Sequence, residues 1–532
     1  MRNGEAQLDS SDKPPQITVY DGANSIGGNK ILLEDGKSAL FLDFGLNFKL
    51  RDTYFSEFLA PRARRGLLDF LHLGLLPPLQ GIYRQDLEPS DIDVWSRVSP
   101  SKAVTIQGVL LSHAHLDHSG YISFLREDTP VVASLATSLL SKAIQDTSQA
   151  SLENEICYTT PKEDKEGYLA SGNYRECPFI QRPFLICDCH LPPHQVEHFW
   201  SKSPSSRELK HSPLSFGAST VGDLSIRSYP VDHSIFGATA YAVETTAGWV
   251  VYTGDLRLHG KFGNLTREFI NQARALSPLA LICEGTHVEP GETVTEKMVG
   301  EKAFEAVKKV QGLIIADFGP RNLERLITFQ EIALSCGRQL VVTAKDLYLL
   351  WALSLAPQFE EINLDRAILL YQGIRDSKTK WEKELYQEYE AKTVTPHQIK
   401  ENQNQFILCM SYWDINELID INPSPDTLYI YSSSEAYDEE QKFDLNRLAN
   451  WLRLFDIKSV GLPDPVTGKF KPAEKGYHAS GHIGGAELLE LIQEINPKYV
   501  IPVHTHCPDF FKKNLPSHQL RLPQKGLPIT LL

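Results

Sequence analysis

Long apolar runs are missing from this chain of 532 residues, and no low-complexity tract or internal repeat is evident. The first residues are polar and no apolar stretch follows them, which predicts neither a secretory leader nor a membrane-spanning helix. Apolar residues make up 42% of the chain and charged residues 23%, as in ordinary globular proteins. The length exceeds what one hydrophobic core supports, and it predicts about three domain-sized units.

Cysteine is scarce, with eight residues in the whole chain. In a large chain without a leader, this scarcity indicates a cytoplasmic protein whose thiols are free or metal-bound. Basic residues are outnumbered, because 53 Lys and Arg face 67 Asp and Glu, for a net charge of −14. This balance excludes a protein that coats nucleic acid with its whole surface, but it allows a local basic groove. Composition therefore leaves the substrate open.

What the chain does have is a dense cluster of metal-binding residue types in the segment LLSHAHLDHSG, residues 110–120. The cluster follows an apolar run from Val104 to Leu111, which predicts a buried strand. A strand end can direct His113 and His115 to one point, and the following turn can direct Asp117 and His118 to a second. Two ions about 3.5–4 Å apart serve hydrolysis, because they hold the attacking and the leaving oxygen. The spacing therefore predicts a two-metal hydrolytic centre.

Four other predicted strands also end at residues of these types. They are Ala39–Leu42 before Asp43, Leu224–Tyr229 before His233, Trp249–Tyr252 before Asp255, and Leu279–Cys283 before Glu284. Asp43 is either a turn former or a group that orients metal-bound imidazoles. The short carboxylate of Asp255 suits a bridge between two cations. Because ligands gather outside strand ends at one edge of a sheet, the repetition predicts a common site.

Residues 151–216 depart from the regular alternation of strands and helices, and they are predicted to be an insertion. They contain the sequence Cys187, Cys189, His190 and, four residues later, His194. Such a set can form a structural zinc site, but its spacing fits no common zinc template well. Buried thiols and surface histidines are the favoured interpretation.

The order of these motifs resembles the β-CASP branch of the metallo-β-lactamase superfamily, a nucleic-acid-processing branch, along nearly the whole chain. The resemblance implies an α/β fold, namely a metallo-β-lactamase αββα sandwich with an inserted β-CASP α/β domain. Alternating helices and strands after Glu284 fit a parallel α/β layer. The implied domains are the first part of the sandwich at 1–296 (with the extra insertion at about 151–216), the β-CASP domain at 297–455, and the return segment at 456–532.

Two motifs in the return segment resemble the ribonuclease J group within this branch. They are HASGHIGGAEL at residues 478–488, which contains His482, and YVIPVHTH at residues 499–506, which contains His504. A histidine at the position of His504 is typical of RNA-processing members, whereas DNA-repair members tend to carry valine. Ribonuclease J proteins usually have a further C-terminal domain, and here the sequence ends about 26 residues past His506. That departure puts dimerisation in doubt, and the sequence does not define an oligomeric state.

The resemblance implies a set of ligands and of catalytic groups. The implied metal ligands are His113, His115 and His233 for one ion and Asp117, His118 and His504 for the other, with Asp255 shared. Imidazole and carboxylate ligands favour two Zn²⁺, with Mn²⁺ as the alternative. The implied catalytic residues are Asp117, His482, Glu284 and Asp43. Among them His482, oriented by Glu284, would protonate the leaving 3′-oxygen.

A phosphate subsite is expected at HASGH, where a Ser-Gly turn precedes the helical sequence GGAELLELIQ. Backbone N–H groups at a helix N-terminus bind anions. The resemblance implies that His478, Ser480 and Gly481 bind a 5′-monophosphate, and a plain N-cap for the helix is the alternative.

The predicted function is a metal-dependent ribonuclease acting on single-stranded RNA, as a 5′→3′ exonuclease, an endonuclease or both. The alternatives are a DNA nuclease of the same branch, a metallo-hydrolase of small molecules, and an inactive scaffold subunit. His504 disfavours the first, and the inserted domain with HASGH disfavours the second. The third would have lost ligands, whereas every expected ligand type is present in this chain.

Overall fold

The structure is a computed structural model that describes residues 13–56, 58–289, 291–319, 321–359, 368–374, 379–436 and 439–532. Residues 1–12, on which the prediction of no leader depends, lie outside the described residues. Within the described ranges, no helix combines the length and the apolar character needed to cross a bilayer.

The first part of the chain forms a sheet whose apolar residues point alternately to its two faces. Ile31 and Leu33 face the core between the two sheets of the sandwich, and Leu32 faces the opposite side, as a two-residue period requires. The elements are β1 (Gln16–Asp21), β2 (Lys30–Asp35), β3 (Ser38–Phe44), α1 (Phe48–Asp52), α2 (Leu67–His72), β4 (Leu79–Gln80), β5 (Lys102–Ala103), β6 (Val109–Leu110), α3 (Leu116–Ser119), β7 (Val131–Ala133) and α4 (Leu135–Thr147).

The strand predicted over residues 104–111 is wrong in its extent, because only Val109 and Leu110 belong to β6. Upstream, Gln107 contacts Ala39 through both its backbone N–H and its side-chain Oε1. The side chain thus takes the Ala39 N–H that a ladder partner would use. Regular pairing with β3 therefore begins only at Val109.

The segment 151–216 consists of short strands and one helix. The strand β12 pairs in parallel with β7, so this segment extends the first sheet rather than standing apart from it. Its elements are β8 (Tyr158–Thr159), β9 (Lys162–Lys165), β10 (Tyr168–Ser171), β11 (Phe179–Gln181), β12 (Phe184–Ile186), α5 (Val196–Ser201), β13 (Leu209–Lys210) and β14 (Ser215–Phe216).

The second sheet follows, and three of the strands predicted from apolar runs are confirmed there. A further strand, β17, was not predicted, because its sequence TAYAVET contains small residues in place of a long apolar run. The elements are β15 (Thr220–Val221), β16 (Leu224–Pro230), β17 (Thr239–Thr245), β18 (Gly248–Tyr252), α6 (Gly263–Ala275) and β19 (Ala280–Cys283).

A parallel α/β layer comes next, with the strand order β23-β22-β21-β24-β20-β25-β26. Residues Ile314 and Ala316 of β20 pack on one face, whereas Leu313 and Ile315 pack on the other, so helices cover both faces. The elements are α7 (Glu296–Val307), β20 (Ile314–Asp317), α8 (Leu323–Ser335), β21 (Gln339–Val342), α9 (Ala344–Ser354), β22 (Ile368–Tyr371), α10 (Lys380–Glu388), β23 (Thr393–Val394), α11 (Pro396–Glu401), β24 (Phe406–Cys409), α12 (Leu418–Ile421), β25 (Leu428–Tyr431), α13 (Glu439–Leu454) and β26 (Lys458–Val460).

The chain then returns to the two sheets of the sandwich. The last elements are α14 (Gly485–Ile495), β27 (Tyr499–Pro502), α15 (Pro508–Asn514) and β28 (Pro528–Thr530). The sheet orders are β14-β12-β7-β6-β3-β2-β1-β28 and β15-β16-β17-β18-β19-β27. Residues from both sheets, such as Leu42 and Val250, share one core, and α6 and α14 pack on the outer face of the second sheet. The result is the predicted αββα sandwich with an inserted α/β layer.

Candidate metal centre

Three histidines from two loops form a first group of ligand atoms. His113 and His115 follow β6, and His233 follows β16. The Nδ1 atom of His115 lies 3.1 Å from Nε2 of His113 and 3.2 Å from Nε2 of His233. The three ligand atoms lie within 4.8 Å of one another. Neutral imidazole nitrogens held this close can share one cation.

A second group of ligand atoms contains both carboxylates and imidazoles. The atoms of Asp117, His118, Asp255 and His504 also lie within 4.8 Å of one another. Nε2 of His118 is 3.1 Å from Oδ2 of Asp255, and Nε2 of His504 is 3.2 Å from Oδ2 of Asp117. Oδ2 of Asp255 is also 3.8 Å from Nε2 of His113. Asp255 therefore stands between the two groups, as a shared ligand would.

Asp43 at the end of β3 orients one of these imidazoles. Its Oδ2 lies 2.6 Å from Nδ1 of His118 and accepts a hydrogen bond from the hydroxyl of Tyr252, also at 2.6 Å. Oδ1 accepts from the backbone N–H of Ser112 at 2.7 Å. The backbone of Asp43 has a φ of 58°, a left-handed conformation that aspartate adopts more readily than most residues. Asp43 thus holds Nδ1 of His118 and leaves its Nε2 to face the other ligand atoms of the second group.

Two more histidines are fixed by groups outside the ligand set. Nδ1 of His233 donates to the carbonyl oxygen of Gly481 at 2.6 Å, so its Nε2 faces the first group. Nδ1 of His504 lies 2.8 Å from Oγ1 of Thr286, so its Nε2 faces Asp117. Each such bond selects the nitrogen that is left for a metal.

The pKa values of the histidines in the first group and that of His118 in the second are shifted in opposite directions. In the first group, burial lowers the pKa of His115 to about 4 and takes the pKa of His113 and of His233 well below the usual range. In the second group, burial lowers the pKa of His118, but Asp255 and Asp117 outweigh it and raise that pKa well above the usual range. The first group is therefore neutral, and the second pairs charges of both signs.

The residues fit a metal cofactor on their own chemistry. Oδ1 of Asp255 is buried and has no hydrogen-bond partner among the described residues. A buried carboxylate oxygen without a partner is costly unless a cation or a donor satisfies it. Imidazole and carboxylate are common ligands of transition metals. The site is therefore a metal centre.

His482 and Glu284 lie beside the second group. Nδ1 of His482 is 2.8 Å from Oε2 of Glu284 and 3.8 Å from Oδ2 of Asp255. Burial lowers the pKa of His482, but Glu284 and Asp255 outweigh it and raise that pKa to about 9. With Nδ1 engaged by Glu284, Nε2 is the nitrogen left for a ligand.

The HASGH loop lies against the metal centre, but it does not cap α14. The N-cap of that helix is Gly484. Oγ of Ser480 instead accepts from the backbone N–H of His482 at 3.1 Å. Nδ1 of His478 is buried and makes no hydrogen bond to any described residue. The loop thus keeps polar groups that the helix does not use.

A network of buried ion pairs supports this loop and joins the sandwich to the inserted layer. Arg257, two residues after Asp255, contacts Glu324 at the start of α8 and lies 3.0 Å from Oε1 of Glu296. Arg325 forms a bidentate pair with Glu296. Both arginines are fully buried. Arg257 also donates to the carbonyl oxygen of Ser480 at 3.1 Å.

Sequence reasoning did not find the supporting residues Ser112, Tyr252, Thr286, Arg257 and Arg325. All except Arg325 lie within three residues of a predicted site residue, as Arg257 does of Asp255 and Thr286 of Glu284. Their roles depend on contacts between distant segments, which spacing does not show.

The cysteines of segment 151–216 do not join a metal site in the described structure. Cys187 lies 3.8 Å from the hydroxyl of Tyr241, and Cys189 contacts the carbonyl oxygen of Leu191 at 2.9 Å. The groups of metal-binding side chains found among the described residues include no cysteine. The interpretation as ordinary thiols is consistent with these contacts.

Comparison with known proteins gives a family match and a set of relatives. The family described as the Zn-dependent metallo-hydrolase RNA specificity domain matches residues 473–510, which include HASGH and YVIPVHTH. Ribonuclease J of Helicobacter pylori (strain B128) is 22% identical over 96% of this chain, and the match spans 59% of that relative. Ribonuclease J of Mycoplasma pneumoniae is 20% identical over 92% of this chain and 68% of its own.

A solved structure shares the fold. It is the crystal structure of a protein of unknown function from Enterococcus faecalis V583, with a TM-score of 0.64 and 21% identity. The match covers 97% of this chain and 100% of that one. The chain is thus similar to ribonucleases J along most of its length, it shares the fold of the solved structure, and its C-terminal part matches the RNA specificity domain.

Proposed function

We propose that this chain is a ribonuclease that hydrolyses phosphodiester bonds of single-stranded RNA with two metal ions. The observation that carries the proposal is the pair of adjoining ligand groups, with Asp255 between them and His482 beside them. The residues 473–510 that match an RNA specificity domain contain both His482 and His504. The likeness to ribonuclease J supports RNA as the substrate.

His113, His115 and His233 would hold one ion, and Asp117, His118 and His504 the other, with Asp255 shared. The mixed imidazole and carboxylate set favours Zn²⁺, with Mn²⁺ as the alternative. Divalent ions bound there would supply Lewis acidity and would lower the pKa of a water molecule towards neutrality.

The side chains supply orientation and the proton. Hydrolysis adds water to the phosphorus and breaks the bond from phosphorus to the 3′-oxygen. His482 would donate the proton from Nε2 to that leaving oxygen, while Glu284 holds Nδ1. Asp43 and Thr286 would keep His118 and His504 turned towards the ions. Asp117 acts as a ligand on the side of His504.

The HASGH loop is the proposed site of a 5′-monophosphate. The unused Nδ1 of His478 and the hydroxyl of Ser480 supply polar groups, and the fully buried Arg257 lies against the Ser480 carbonyl. Gly481 binds His233 through its carbonyl oxygen, so this loop and the metal ligands are held in one geometry. An RNA strand bound here by its 5′-monophosphate would have one of its phosphodiester linkages near the metals.

The test uses the full chain loaded with Zn²⁺ or Mn²⁺ and one RNA sequence carrying a 5′-monophosphate, a 5′-triphosphate or a 5′-hydroxyl. Each RNA is labelled at either end, and matched duplex RNA and single-stranded DNA are run beside it. We expect single-stranded RNA to be cut well, duplex RNA poorly and DNA more slowly than RNA. Equal rates on RNA and DNA would instead indicate a DNA nuclease of the same branch.

The 5′ subsite is tested with Ser480→Ala. We expect this change to narrow the preference for the 5′-monophosphate over the 5′-triphosphate while the metal content stays the same. His506→Ala is the matched control, because His506 is exposed and lies outside the ligand groups. An unchanged preference in Ser480→Ala would remove Ser480 from the phosphate site.

A further inference from the structure

A cavity of about 360 Å³ lies outside the metal centre, at the carboxyl ends of the parallel strands of the inserted domain. Residues after β20, β21, β22 and β24 line it, and the C-terminal end of α4 of the sandwich, at Ile144 and Thr147, closes another side. We name it the sheet-edge cavity. Its volume is in the range of sites that bind small organic ligands.

The topology of the sheet places this cavity where open α/β sheets bind ligands. After β20 the chain crosses to β21 on one side, whereas after β24 it crosses to β25 on the other. The helix after β20 packs on one face of the sheet, and α12 after β24 packs on the opposite face. The loops after these two adjacent strands therefore separate, and a crevice opens between them.

The acidic side chains that line the cavity are already bonded within the protein. Asp346 accepts a hydrogen bond from the hydroxyl of Thr343 at 2.8 Å, and Asp414 accepts one from the hydroxyl of Ser411 at 2.9 Å. Glu417 accepts from the hydroxyl of Tyr371 at 2.6 Å. Glu382, the fourth acid of the lining, accepts from the backbone N–H of Thr379 at 3.0 Å. These carboxylates cap helices or hold a neighbouring strand, and their oxygens are partly occupied.

The cations that line the cavity have no such partners. The side chains of Arg321 and Lys345 make neither a hydrogen bond nor an ion pair with any residue that the structure describes. Arg321 is half-buried, and burial lowers its pKa. A partly buried guanidinium that contacts no carboxylate is stabilised when a ligand supplies an anion.

Arg321 also lies within electrostatic reach of the metal centre. Burial is the main cause of the low pKa of His115, and the charge of Arg321 contributes to it. The charge of Asp117 in turn acts on Arg321. Geometry gives the same relation, because Arg321 lies three residues before Glu324, which contacts Arg257, two residues after Asp255. A phosphate at Arg321 and a phosphate at the metals could therefore belong to one strand.

An aromatic side chain stands at the rim of the cavity. Trp413, in the loop after β24, is 77% exposed, and its ring centroid lies 5.2 Å from that of Tyr412. An indole ring left this exposed in a charged crevice offers a flat face for stacking. Bases stack on such faces with little regard to sequence.

We propose that the sheet-edge cavity binds one nucleotide of the RNA strand away from the cleaved bond, with its phosphate at Arg321 and Lys345 and its base against Trp413. This inference rests on the proposed ribonuclease function. A free nucleoside monophosphate offers the same phosphate and base as one nucleotide of the RNA strand. The experiment distinguishes these two ligands.

The test measures kcat and KM of the metal-loaded full chain for a dinucleotide and for a single strand of about 12 nucleotides. We expect Arg321→Gln and Trp413→Ala each to raise KM for the long strand roughly tenfold, with kcat nearly unchanged. The dinucleotide should show no change, because it does not extend beyond the metal centre. Arg321→Lys should restore much of the loss, and Arg453→Gln, an exposed arginine on α13, is the matched control.

Salt dependence gives a readout that a folding defect would not produce. Removing one phosphate contact to a single strand should reduce the slope of log KM against log salt by about 0.7 for Arg321→Gln. Trp413→Ala should leave that slope unchanged. Adenosine monophosphate is added as a competitor, and inhibition that the Arg321→Gln variant lacks would show that the cavity also takes a free nucleotide.

Unchanged KM and salt slope for the long strand in both variants would overturn the proposal, provided that thermal melting shows them folded. Inhibition by adenosine monophosphate with an unchanged KM for RNA would also overturn it, because the strand would then not occupy the cavity. If the unaltered chain cuts no RNA at all, the ribonuclease proposal itself fails. That failure is seen before any variant is made.

Discussion

At the metal centre the carboxylates of the sandwich lie against imidazoles, whereas at the sheet-edge cavity the carboxylates of the β-CASP layer are bonded to hydroxyl groups. Asp255 keeps one buried oxygen without a hydrogen-bond partner in the described ranges, and Asp346 is bonded to the Thr343 hydroxyl at a helix N-terminus. The unpaired charges at the cavity are those of Arg321 and Lys345, among the described residues. The two sheet edges contain similar residue types, but the metal centre suits cations and the sheet-edge cavity suits anions. The difference arises because the acids of the metal centre face imidazoles, whereas those of the cavity are bonded to hydroxyl groups.

The largest expected effect is at the first ligand group, where the three histidines are neutral. We expect His115→Ala to leave the protein folded, to release metal and to abolish nearly all hydrolysis. The loss should exceed the roughly 10²–10⁴-fold that general acid catalysis contributes. Elemental analysis and RNA cleavage are the measurements, with His506→Ala as the control. Full activity in the presence of chelators would contradict the assignment.

The next effect separates proton transfer from metal binding at the same edge. We expect His482→Ala to retain both metals and to slow cleavage by roughly 10²–10⁴-fold, because the leaving oxygen then departs without a proton donor. Metal content and single-turnover rates distinguish this from the loss of a ligand. An unchanged rate would leave His482 as a histidine that only packs against Glu284.

A smaller effect is expected at Asp43, which orients His118 of the second group but no histidine of the first. Asparagine tolerates the left-handed backbone of this position, so Asp43→Asn should fold. We expect roughly 10–100-fold weaker binding of one ion only, since such orienting residues tune affinity by that amount. Metal titration measures it.

Asp35→Asn is the matched control for this change. Asp35 is a buried aspartate at the end of β2, outside the ligand groups, and it accepts hydrogen bonds from Thr246. Equal loss of both ions in Asp43→Asn would contradict the division into two groups.

The smallest effect concerns stability at the carboxyl edge of the β-CASP sheet. Burial raises the pKa of Asp317 to about 7, the hydrogen bond from Tyr429 lowers it, and the charge of Asp414 raises it. Because the folded-state pKa lies above the unfolded value of about 4, ionisation opposes folding. The contribution of the Asp317 carboxyl to the stability of the folded chain is fully present below about pH 4, and it is lost as the pH rises towards 7.

We expect Asp317→Asn to melt like the unaltered chain at pH 4 and a few degrees higher at pH 8. An amide keeps the shape of the protonated acid and has no charge to bury. Thermal melting at the two pH values is the measurement. A lower melting temperature at pH 8 would mean that this carboxylate is needed in its charged form, which would weaken the contrast between the two edges.

Much of the sandwich was predictable because its strands are apolar runs that end at ligand-type residues. Strands β3, β16, β18 and β19 were each predicted within two residues of their observed ends. β17 was missed because its alanines give no strong strand signal. The false extension of β6 arose because the Gln107 side chain takes the place of a ladder partner.

The site was less predictable where it depends on contacts between distant segments. The bond from His233 to the Gly481 carbonyl joins residues 248 positions apart. The pairing of Arg257 with Glu324 and Glu296 likewise joins the sandwich to the layer inserted in it. Spacing along the chain identifies ligands that share a loop or follow a strand, but it does not show which backbone carbonyl fixes an imidazole.

The buried pairs of Arg257 have a consequence for how a strand can reach the metals. Arg257 also pairs with Asp232 of the sandwich, so one guanidinium holds carboxylates of both parts of the molecule. Moving the inserted layer away would separate Arg257 from Glu324, while Asp232 keeps Arg257 in place. We therefore expect the two parts to move as one body, and under the proposed function an RNA strand would have to reach the metals without their separating.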